Sequence, residues 1–317
     1  MLMIDRRCFI TGIKSTNLSQ KEKNFLKKYK PWGIILFSRN IKSIIQTKKL
    51  TKKIRKIFKD KNYPILIDQE GGRINRARNI FNADKLTGEY FGNLFLKDKK
   101  KFNNNYKIFI NKTSHLLKQI GVNINTVPVL DIRKKRSSQI IGDRSFSSNP
   151  KIVNKIGNFC INFFHKNNIG TVIKHIPGHG LAKVDSHKLT PIVKEKISYL
   201  KKNDFSTFKN KKSFFAMTAH IIYSDIDKMY PATQSKKIIK MIRKNIKFDN
   251  ILMSDDISMK SLKYSIRRNT IRAFTAGCNL VLHCNGNFKE MLIVANNSPI
   301  VDKFIIKKTS QFYKILS

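Results

Sequence analysis

Ionisable or polar side chains follow directly on short apolar runs at six places in this 317-residue sequence. They are Asp68, Gln69 and Glu70; Asp131; Lys174 and His175; His220; Asp255 and Asp256; and Asn285. Carboxylates so placed can act as nucleophiles or as general acids and bases, and histidine exchanges protons near neutral pH. Taken singly, each is more simply a solvated strand end or a helix cap. If the runs are parallel strands of one barrel, all six places share the face on which barrel enzymes build their sites.

The segment 174–191, KHIPGHGLAKVDSHKLTP, is dense in histidine, glycine and proline and has no apolar periodicity. It is predicted to be a long loop after the fifth strand. The spacing of His175 and His179 resembles that of a zinc-binding helix pair. Because Pro177 and Gly178 between them would break a helix, and no HExxH glutamate is present, we expect no metal site.

Residues 68–78, DQEGGRINRAR, form a second segment of unusual composition. The paired glycines permit a tight turn, and the arginines suit recognition of carboxylates or hydroxyl groups. Neither GxxxxGK[ST] nor GxGxxG occurs in the chain, which excludes the common nucleotide-binding loops. We expect no cofactor.

Eight apolar runs rich in Ile, Val, Leu and Phe are predicted to be strands covered on both faces, as in a parallel sheet. The runs are 8–12, 33–37, 64–68, 122–131, 171–174, 214–218, 251–254 and 280–284. Helical patterns lie at 20–29, 41–57, 99–120, 151–167, 235–244 and 261–276, the last ending at a glycine cap. The alternation predicts an α/β fold, a single (β/α)8 TIM barrel spanning residues 1–317 as one domain, with a doubly wound open sheet as the competing fold.

The charge balance, 64 basic against 20 acidic residues, gives a formal net charge of +44. Taken alone, this suggests nucleic acid or another acidic partner. The lysines, however, spread along the whole chain and outnumber the arginines, whereas nucleic-acid surfaces concentrate charge and favour arginine. We expect no specific nucleic-acid partner.

No apolar run approaches the 18 residues of a membrane span, and two arginines interrupt the first ten residues, where a signal peptide would be apolar. We therefore expect a cytoplasmic chain with no membrane span. The four cysteines lie in apolar contexts with no CxxC pair, which indicates reduced core residues.

An ordered set of strings resembles the cytosolic β-N-acetylglucosaminidases of glycoside hydrolase family 3. The strings are GIILFSRN (33–40), ILIDQEGGRINR (65–76), PVLDI (128–132), IGDRSFSSNP (141–150), KHIPGHG with VDSH (174–187), MTAHIIYSDID (217–227), SDDISM (254–259) and AGCNLVLHCN (276–285). The joint presence of KHxPGHG and SDDxSM makes the resemblance very specific.

The resemblance implies a covalent retaining mechanism with Asp255 as the nucleophile. It assigns the acid/base role to His187, oriented by Asp185, where most retaining glycosidases use a second carboxylate. An imidazole can serve as acid in one step and as base in the next at neutral pH. Asp256 is expected to cap a helix or to support its loop, since adjacent residues at a strand end point in different directions.

The resemblance further implies that Asp68, Arg76, Arg144, Lys174 and His175 bind the terminal sugar. His179 and His220 are expected to support the loop and the strand end without contacting substrate. Asp131 is expected to do the same or to cap a loop. The family more often has glutamate at the position of Asp143, so we expect a looser contact supporting Arg144.

The implied activity is that of an exo-β-N-acetylglucosaminidase acting on muropeptides or other β-N-acetylglucosaminides in cell-wall recycling, and we expect a monomer. A phosphorylase using the same site is one alternative, because a histidine acid/base would not repel phosphate. A basic nucleic-acid-binding protein built on a barrel scaffold is an alternative of a different class.

Overall fold

The computed structural model describes residues 3–134, 138–186 and 189–316. Eight parallel strands form a closed barrel in which each strand pairs with its neighbours along the chain and the last pairs with the first. The strands are β1 Arg7–Gly12, β2 Pro31–Leu36, β3 Ile65–Ile67, β4 Ile124–Asn125, β5 Gly170–Ile176, β6 Phe215–Thr218, β7 Ile251–Asp256 and β8 Leu280–His283. The predicted (β/α)8 barrel is confirmed, and the competing open sheet is wrong.

Helices lie between the strands and follow the last one. They are α1 Gln20–Tyr29, α2 Ile44–Phe58, α3 Gly88–Lys97, α4 Lys99–Gln119, α5 Pro150–Lys166, α6 Ile197–Lys202, α7 Lys236–Met241, α8 Ile266–Ala276, α9 Phe288–Asn296 and α10 Lys303–Tyr313. One π-helical turn, Ile242–Ile246, extends α7. Short antiparallel strands Gln69–Gly71 and Ile74–Asn75 form a hairpin just after β3. A second short pair, Ile192–Val193 and Ile222–Tyr223, joins the loops after β5 and β6.

Alternate residues of each strand point into the barrel and outward to the helices, because side chains alternate across a strand. In β1, Cys8 and Ile10 belong to the apolar cluster inside the barrel, whereas Phe9 belongs to the cluster between strands and helices. Both faces are therefore buried, which explains why the strand runs are continuously apolar.

Several boundaries differ from the predictions, and three of them have a local physical reason. The run 122–131 forms a strand only over Ile124–Asn125, since Pro128 lacks the N–H that a ladder requires. Helix α7 begins after Ser235, whose side chain accepts from the Ile238 amide, and ends at Met241 instead of at residue 244. Helix α8 ends at Gly277 with φ of 114°, as the sequence predicts, but begins at Ile266.

The cysteines are free, as expected, and Cys8, Cys160 and Cys278 are buried. Cys284 is only half-buried and lines a cavity at the carboxyl ends of the strands, so its prediction as a core residue is wrong. Across the described ranges, the helices are too short or too polar to cross a membrane.

Candidate functional site

A cavity at the carboxyl ends of the barrel strands gathers most of the predicted site residues. Six of the eight line it: Asp68, Arg76, Arg144, Lys174, His175 and Asp255. They reach it because Asp68 follows β3, Lys174 and His175 end β5, and Asp255 ends β7. Arg144 comes from a short helical turn in the loop after β4. Met217 and Leu282, which belong to the apolar cluster inside the barrel, also line the cavity.

Lys174 stands at the centre of an ionic network in this cavity. Its Nζ lies 2.7 Å from Oε1 of Glu70 and 3.0 Å from Oδ1 of Asp68, and it donates to the Thr126 hydroxyl at 3.0 Å. The side chain is 3% exposed. The ammonium of Lys174 thus contacts a hydroxyl group as well as two carboxylates.

Glu70 connects Lys174 to Arg144. The Arg144 guanidinium donates two hydrogen bonds of 2.8 Å to the two carboxylate oxygens of Glu70, a bidentate pair. Burial opposes ionisation of Glu70, but the charges of Arg144 and Lys174 outweigh it and lower its pKa to about 2. Glu70 was predicted only as a strand-end residue, so the sequence interpretation missed its place in the site.

Asp68 is held as an ionised acceptor at the other side of Lys174. Burial would raise its pKa, but the charges of Lys174 and Arg76 and a hydrogen bond from Thr126 lower the pKa well below its usual range. The Arg76 Nη2 lies 3.5 Å from Oδ2 of Asp68, and its guanidinium lies over the Phe37 ring at 5.3 Å. Such a carboxylate can accept hydrogen bonds from ligand hydroxyls at any physiological pH.

Asp131 fixes His175 from beneath the cavity. Its Oδ2 lies 2.7 Å from Nδ1 of His175, and it accepts from the backbone amides of His175 and His179. The contact with a carboxylate places the proton on Nδ1, which leaves Nε2 as an acceptor in the neutral ring. Burial would raise the pKa of Asp131, but its contacts with His175 and His179 outweigh burial and lower the pKa below its usual value. The expected supporting role of Asp131 agrees with these contacts.

His179 and Ser186 come from the loop after β5 and also line the cavity. The Nε2 of His179 lies 3.0 Å from the Ser186 hydroxyl. Burial lowers the pKa of His179 to about 4, so this ring is neutral at pH 7. Neither residue was predicted to line the site. The sequence feature that could have indicated them is their position in the histidine-rich segment 174–191.

Asp255 faces the cavity, whereas its neighbour Asp256 is used by the surrounding loops. The Oδ1 of Asp255 accepts from the Asp256 amide at 2.7 Å. The Asp256 carboxylate accepts from the amide and hydroxyl of Ser258 and from the Cys284 amide. This division matches the prediction that only one of the two aspartates faces a ligand.

Two predicted residues do not enter this description of the cavity. His187 lies outside the described residues. Asp185 is half-buried in the same loop, where its carbonyl accepts from the Leu189 amide, and it does not line the cavity. Their roles stay predictions.

The other strand-end residues are structural. His220 is buried, with its ring nitrogens 2.7 Å from the Thr233 hydroxyl and 3.0 Å from the Asp256 carbonyl. The side-chain amide of Asn285 donates to Glu290. The Asp143 carboxylate lies 3.2 Å from Nε of Arg73. The looser contact of Asp143 supporting Arg144 stays a prediction.

The arrangement combines ionised carboxylates with buried cations around a cavity that has an apolar base. It suits a neutral ligand with many hydroxyl groups, which can donate to Asp68 and accept from Lys174 and Arg144. Asp255 adds a carboxylate that can attack such a ligand. Within the described residues, no group of three or more His, Cys, Asp or Glu side chains is arranged to hold a metal ion.

Comparisons with known proteins agree with this description. A model of the glycosyl hydrolase family 3 N terminal domain matches residues 2–310. A beta-hexosaminidase of Methylobacillus flagellatus is 28% identical over 291 residues, covering 90% of this chain and 82% of the relative. One from Actinobacillus pleuropneumoniae serotype 3 is 32% identical over 296 residues, covering 90% and 81%. The crystal structure of NagZ from Neisseria gonorrhoeae in complex with N-trifluoroacetyl-D-glucosamine has a TM-score of 0.86 at 25% identity, covering 100% of this chain and 91% of that chain.

Proposed function

Because this chain belongs to glycosyl hydrolase family 3, we propose that it is a β-N-acetylhexosaminidase of the retaining, exo-acting kind that removes terminal N-acetylglucosamine. The observation that supports this best is the placement of Asp255 in the same cavity as the ionic network around Lys174. That network offers hydroxyl-binding groups, and Asp255 offers the nucleophile.

In the first half of the reaction, a carboxylate oxygen of Asp255 attacks the anomeric carbon as the bond to the leaving oxygen breaks. Protonated His187 gives its proton to that oxygen, and a glycosyl ester forms on Asp255. In the second half, neutral His187 takes a proton from water, whose oxygen attacks the anomeric carbon and frees Asp255. Asp185 orients the imidazole and stabilises its charged form.

The sugar is held by the residues that surround the cavity. Asp68 accepts hydrogen bonds from hydroxyl groups, while Lys174 and Arg144 donate to them. His175 and Arg76 complete the ring of polar contacts. Because the barrel base closes the cavity, the sugar bound there is a chain end, which gives cleavage of one residue at a time.

The substrates are fragments of peptidoglycan, including muropeptides that end in anhydro-N-acetylmuramic acid, and the place of action is the cytoplasm. The family resemblance supports both statements. The chain works as a monomer, with the muropeptide as its partner.

Trapping the glycosyl ester tests the nucleophile. A slow 5-fluoro N-acetylglucosaminyl fluoride is expected to add one fluorosugar to the peptide that contains Asp255, as read by mass spectrometry of a digest. Asp255→Asn should give no adduct and should lose at least about 10⁴-fold in kcat on an aryl N-acetylglucosaminide. An active enzyme that forms no adduct, and is instead inhibited by a thiazoline analogue of the sugar, would mean that the acetamido group is the nucleophile.

The acid role of His187 predicts a dependence on the leaving group. His187→Ala should reduce kcat/KM about 100-fold or more for a disaccharide, but less than about tenfold for a 2,4-dinitrophenyl glycoside, which needs little protonation. Equal losses on both substrates would contradict the assignment.

The choice between water and phosphate as acceptor is tested in the same assay. If the acceptor is water, free N-acetylglucosamine should be released at the same rate without phosphate and with phosphate in about tenfold excess over substrate. Phosphate-dependent release of the sugar 1-phosphate would identify a phosphorylase.

A further inference from the structure

Phe37 lies beside the proposed sugar cavity, directly after β2. Its ring is half-buried and packs against the apolar cluster inside the barrel, but Phe37 does not itself line the cavity. The Arg76 guanidinium lies over this ring at 5.3 Å, and the Arg39 guanidinium lies over it at 4.8 Å. One aromatic side chain thus contacts two cations, of which Arg76 lines the cavity.

The position of the Phe37 ring is fixed by the turn in which it lies. The Phe37 amide donates to Oδ1 of Asn40 at 2.9 Å, and the buried side chain of Asn40 donates to the Ile13 carbonyl at 3.1 Å. Arg39 donates from Nε to the Ile13 carbonyl at 2.9 Å and from Nη2 to the Cys284 carbonyl. The turn is therefore tied to the loop after β1 and to the residue that follows β8.

The Arg76 guanidinium is held only loosely by hydrogen-bonding groups of the protein. Its Nη2 lies 3.5 Å from Oδ2 of Asp68, at the outer limit of a hydrogen bond, and its buried Nε has no hydrogen-bond partner among the described residues. The Arg76 side chain is 30% exposed, and a long side chain with this freedom loses rotamer entropy when a ligand orders it. Contact with a ring that is already fixed reduces that loss.

A cation–π contact suits an arginine that must bind a sugar. The attraction between a guanidinium and a ring face needs no hydrogen bond, so it consumes none of the five N–H donors of the guanidinium. A hydrogen bond to another protein group would also hold Arg76, but it would occupy a donor. Over the Phe37 ring, Arg76 keeps its donors for Asp68 and for hydroxyl groups of a ligand.

We propose that Phe37 is a positioning residue for sugar binding. It holds the Arg76 guanidinium beside Asp68 and leaves the N–H donors of Arg76 available to hydroxyl groups of the terminal sugar. The proposal rests on the proposed function and adds to that site an uncharged residue that does not touch the ligand. Because Phe37 acts through Arg76, its replacement weakens binding of the sugar and leaves the attack by Asp255 unchanged.

The kinetics of Phe37→Leu on an aryl N-acetylglucosaminide test this role. Leucine keeps an apolar contact with the barrel interior but has no aromatic face, so KM should rise about five- to tenfold while kcat stays within about twofold. Phe37→Tyr keeps the aromatic face and should recover most of the loss.

Phe304→Leu is the matched control. The Phe304 ring also contacts two cations, Arg243 and Lys308, but it lies on helix α10, none of whose residues line the cavity. This substitution removes a comparable pair of cation–π contacts and should change neither KM nor kcat.

A double-mutant cycle separates positioning of Arg76 from a general packing role of Phe37. Arg76→Met removes the cation and should itself raise KM at least about tenfold. Adding Phe37→Leu to Arg76→Met should then change kcat/KM less than about twofold, because the contact that Phe37 makes is already lost. Thermal unfolding establishes that each variant is folded at the assay temperature.

Three results would overturn the proposal and leave the proposed function intact. They are an unchanged KM in Phe37→Leu, an equal loss from Phe37→Leu with and without the Arg76 cation, and a Phe37→Tyr variant as impaired as Phe37→Leu. The last two would mean that Phe37 acts by packing alone. Absence of hydrolysis of the aryl N-acetylglucosaminide by the unmodified chain would instead overturn the proposed function, and the role of Phe37 with it.

Discussion

Glu70 binds two cations of the sugar cavity at once. It pairs with Arg144 through both oxygens and with Lys174 at 2.7 Å, and Lys174 in turn contacts Asp68. A buried cation left without its anion is costly, so each member of this chain of charges depends on its neighbour. Glu70 thus positions the groups that we propose as the sugar-binding residues.

Glu70→Gln is expected to lower kcat/KM about 10- to 100-fold, because a neutral amide cannot replace two charge-assisted contacts. The substitution should also change how the free energy of unfolding depends on pH below about pH 4. The lowered pKa of Glu70, about 2, means that its ionised form stabilises the fold at neutral pH and that this stabilisation disappears as the pH falls from about 4 towards 2.

Denaturant unfolding at pH values from 7 to 2.5 measures the free energy of unfolding. Below about pH 4, the variant should lose less of this free energy than the unmodified chain. Asp249→Asn, at a side chain that is 84% exposed, is the control and should change neither the kinetics nor this loss of free energy. An unchanged KM and kcat in Glu70→Gln would contradict the positioning role.

The residues of the site differ in how far the sequence could predict them. Asp68, Lys174 and Asp255 end apolar runs, so the barrel topology alone places them on one face. Arg144 lies in an irregular loop and is predictable only from its family motif. Glu70 could not be ranked above Gln69 or Asp68, because its importance comes from Arg144, a partner 74 positions away.

At the scale of elements, the loop after β5 packs on a buried acid from the next segment. Asp204 is 1% exposed, and neither of its carboxylate oxygens has a hydrogen-bond partner among the described residues. A Cβ on Gly178 would lie 2.8 Å from Cβ of Asp204, and Gly178 has φ of 146°, so this close approach requires glycine. The loop that carries the site's histidines therefore rests directly on Asp204.

Asp204→Asn is expected to stabilise the fold above pH 7. Burial raises the pKa of Asp204 to about 7, although Lys134 opposes this while Asp131 and Glu195 add to it. Since this pKa lies above the unfolded value, the buried acid costs stability as the pH rises from about 4 to 7, and the cost then stays constant. The variant should gain roughly 1–3 kcal/mol at pH 8 and little at pH 4.

Guanidinium unfolding at both pH values checks this, with Asp249→Asn again as the exposed control. A variant that is less stable than the unmodified chain at pH 8 would show that the ionised carboxylate is favourably held.

Most strands and the longer helices could be predicted from hydrophobic pattern, but α3 could not. Its glycines lower helix propensity, yet they are needed: a Cβ on Gly88 would lie 2.2 Å from the Arg144 carbonyl, and one on Gly92 would lie 1.6 Å from the Phe146 carbonyl. The close packing of α3 on the loop that carries Arg144 is a tertiary requirement, which overrides the local signal. Helices α6, α9 and α10 were also missed.

At the scale of the whole molecule, helix α10 closes the end of the barrel opposite the site. Phe312 is fully buried, with its ring 5.2 Å from that of Phe215, and the Trp32 indole donates to the Thr309 hydroxyl at 3.0 Å. Gly170, at the start of β5, leaves room for the Phe312 ring. The apolar core inside the barrel is completed by this helix.

Phe312→Ala is expected to destabilise the fold by about 3–5 kcal/mol, through lost burial and the cavity left behind. Phe304→Ala, on the same helix but 36% exposed, is the matched control and should cost less than about 1 kcal/mol. Thermal unfolding measures both. Because the site lies at the other end, the Phe312 variant should keep its kcat at temperatures where it stays folded; a lost kcat in folded protein would contradict this separation.

The first and last elements of the chain touch at that closed end. The Cys8 amide donates to the Pro299 carbonyl, the Val301 amide donates to the Arg6 carbonyl, and Arg6 donates to the Tyr313 hydroxyl at 3.2 Å. A circularly permuted gene, in which a short linker joins the last residue of this sequence to the first, should therefore encode the same architecture. New termini opened in the exposed turn before β3 would leave the opposite face of such a permutant, which carries the cavity, undisturbed.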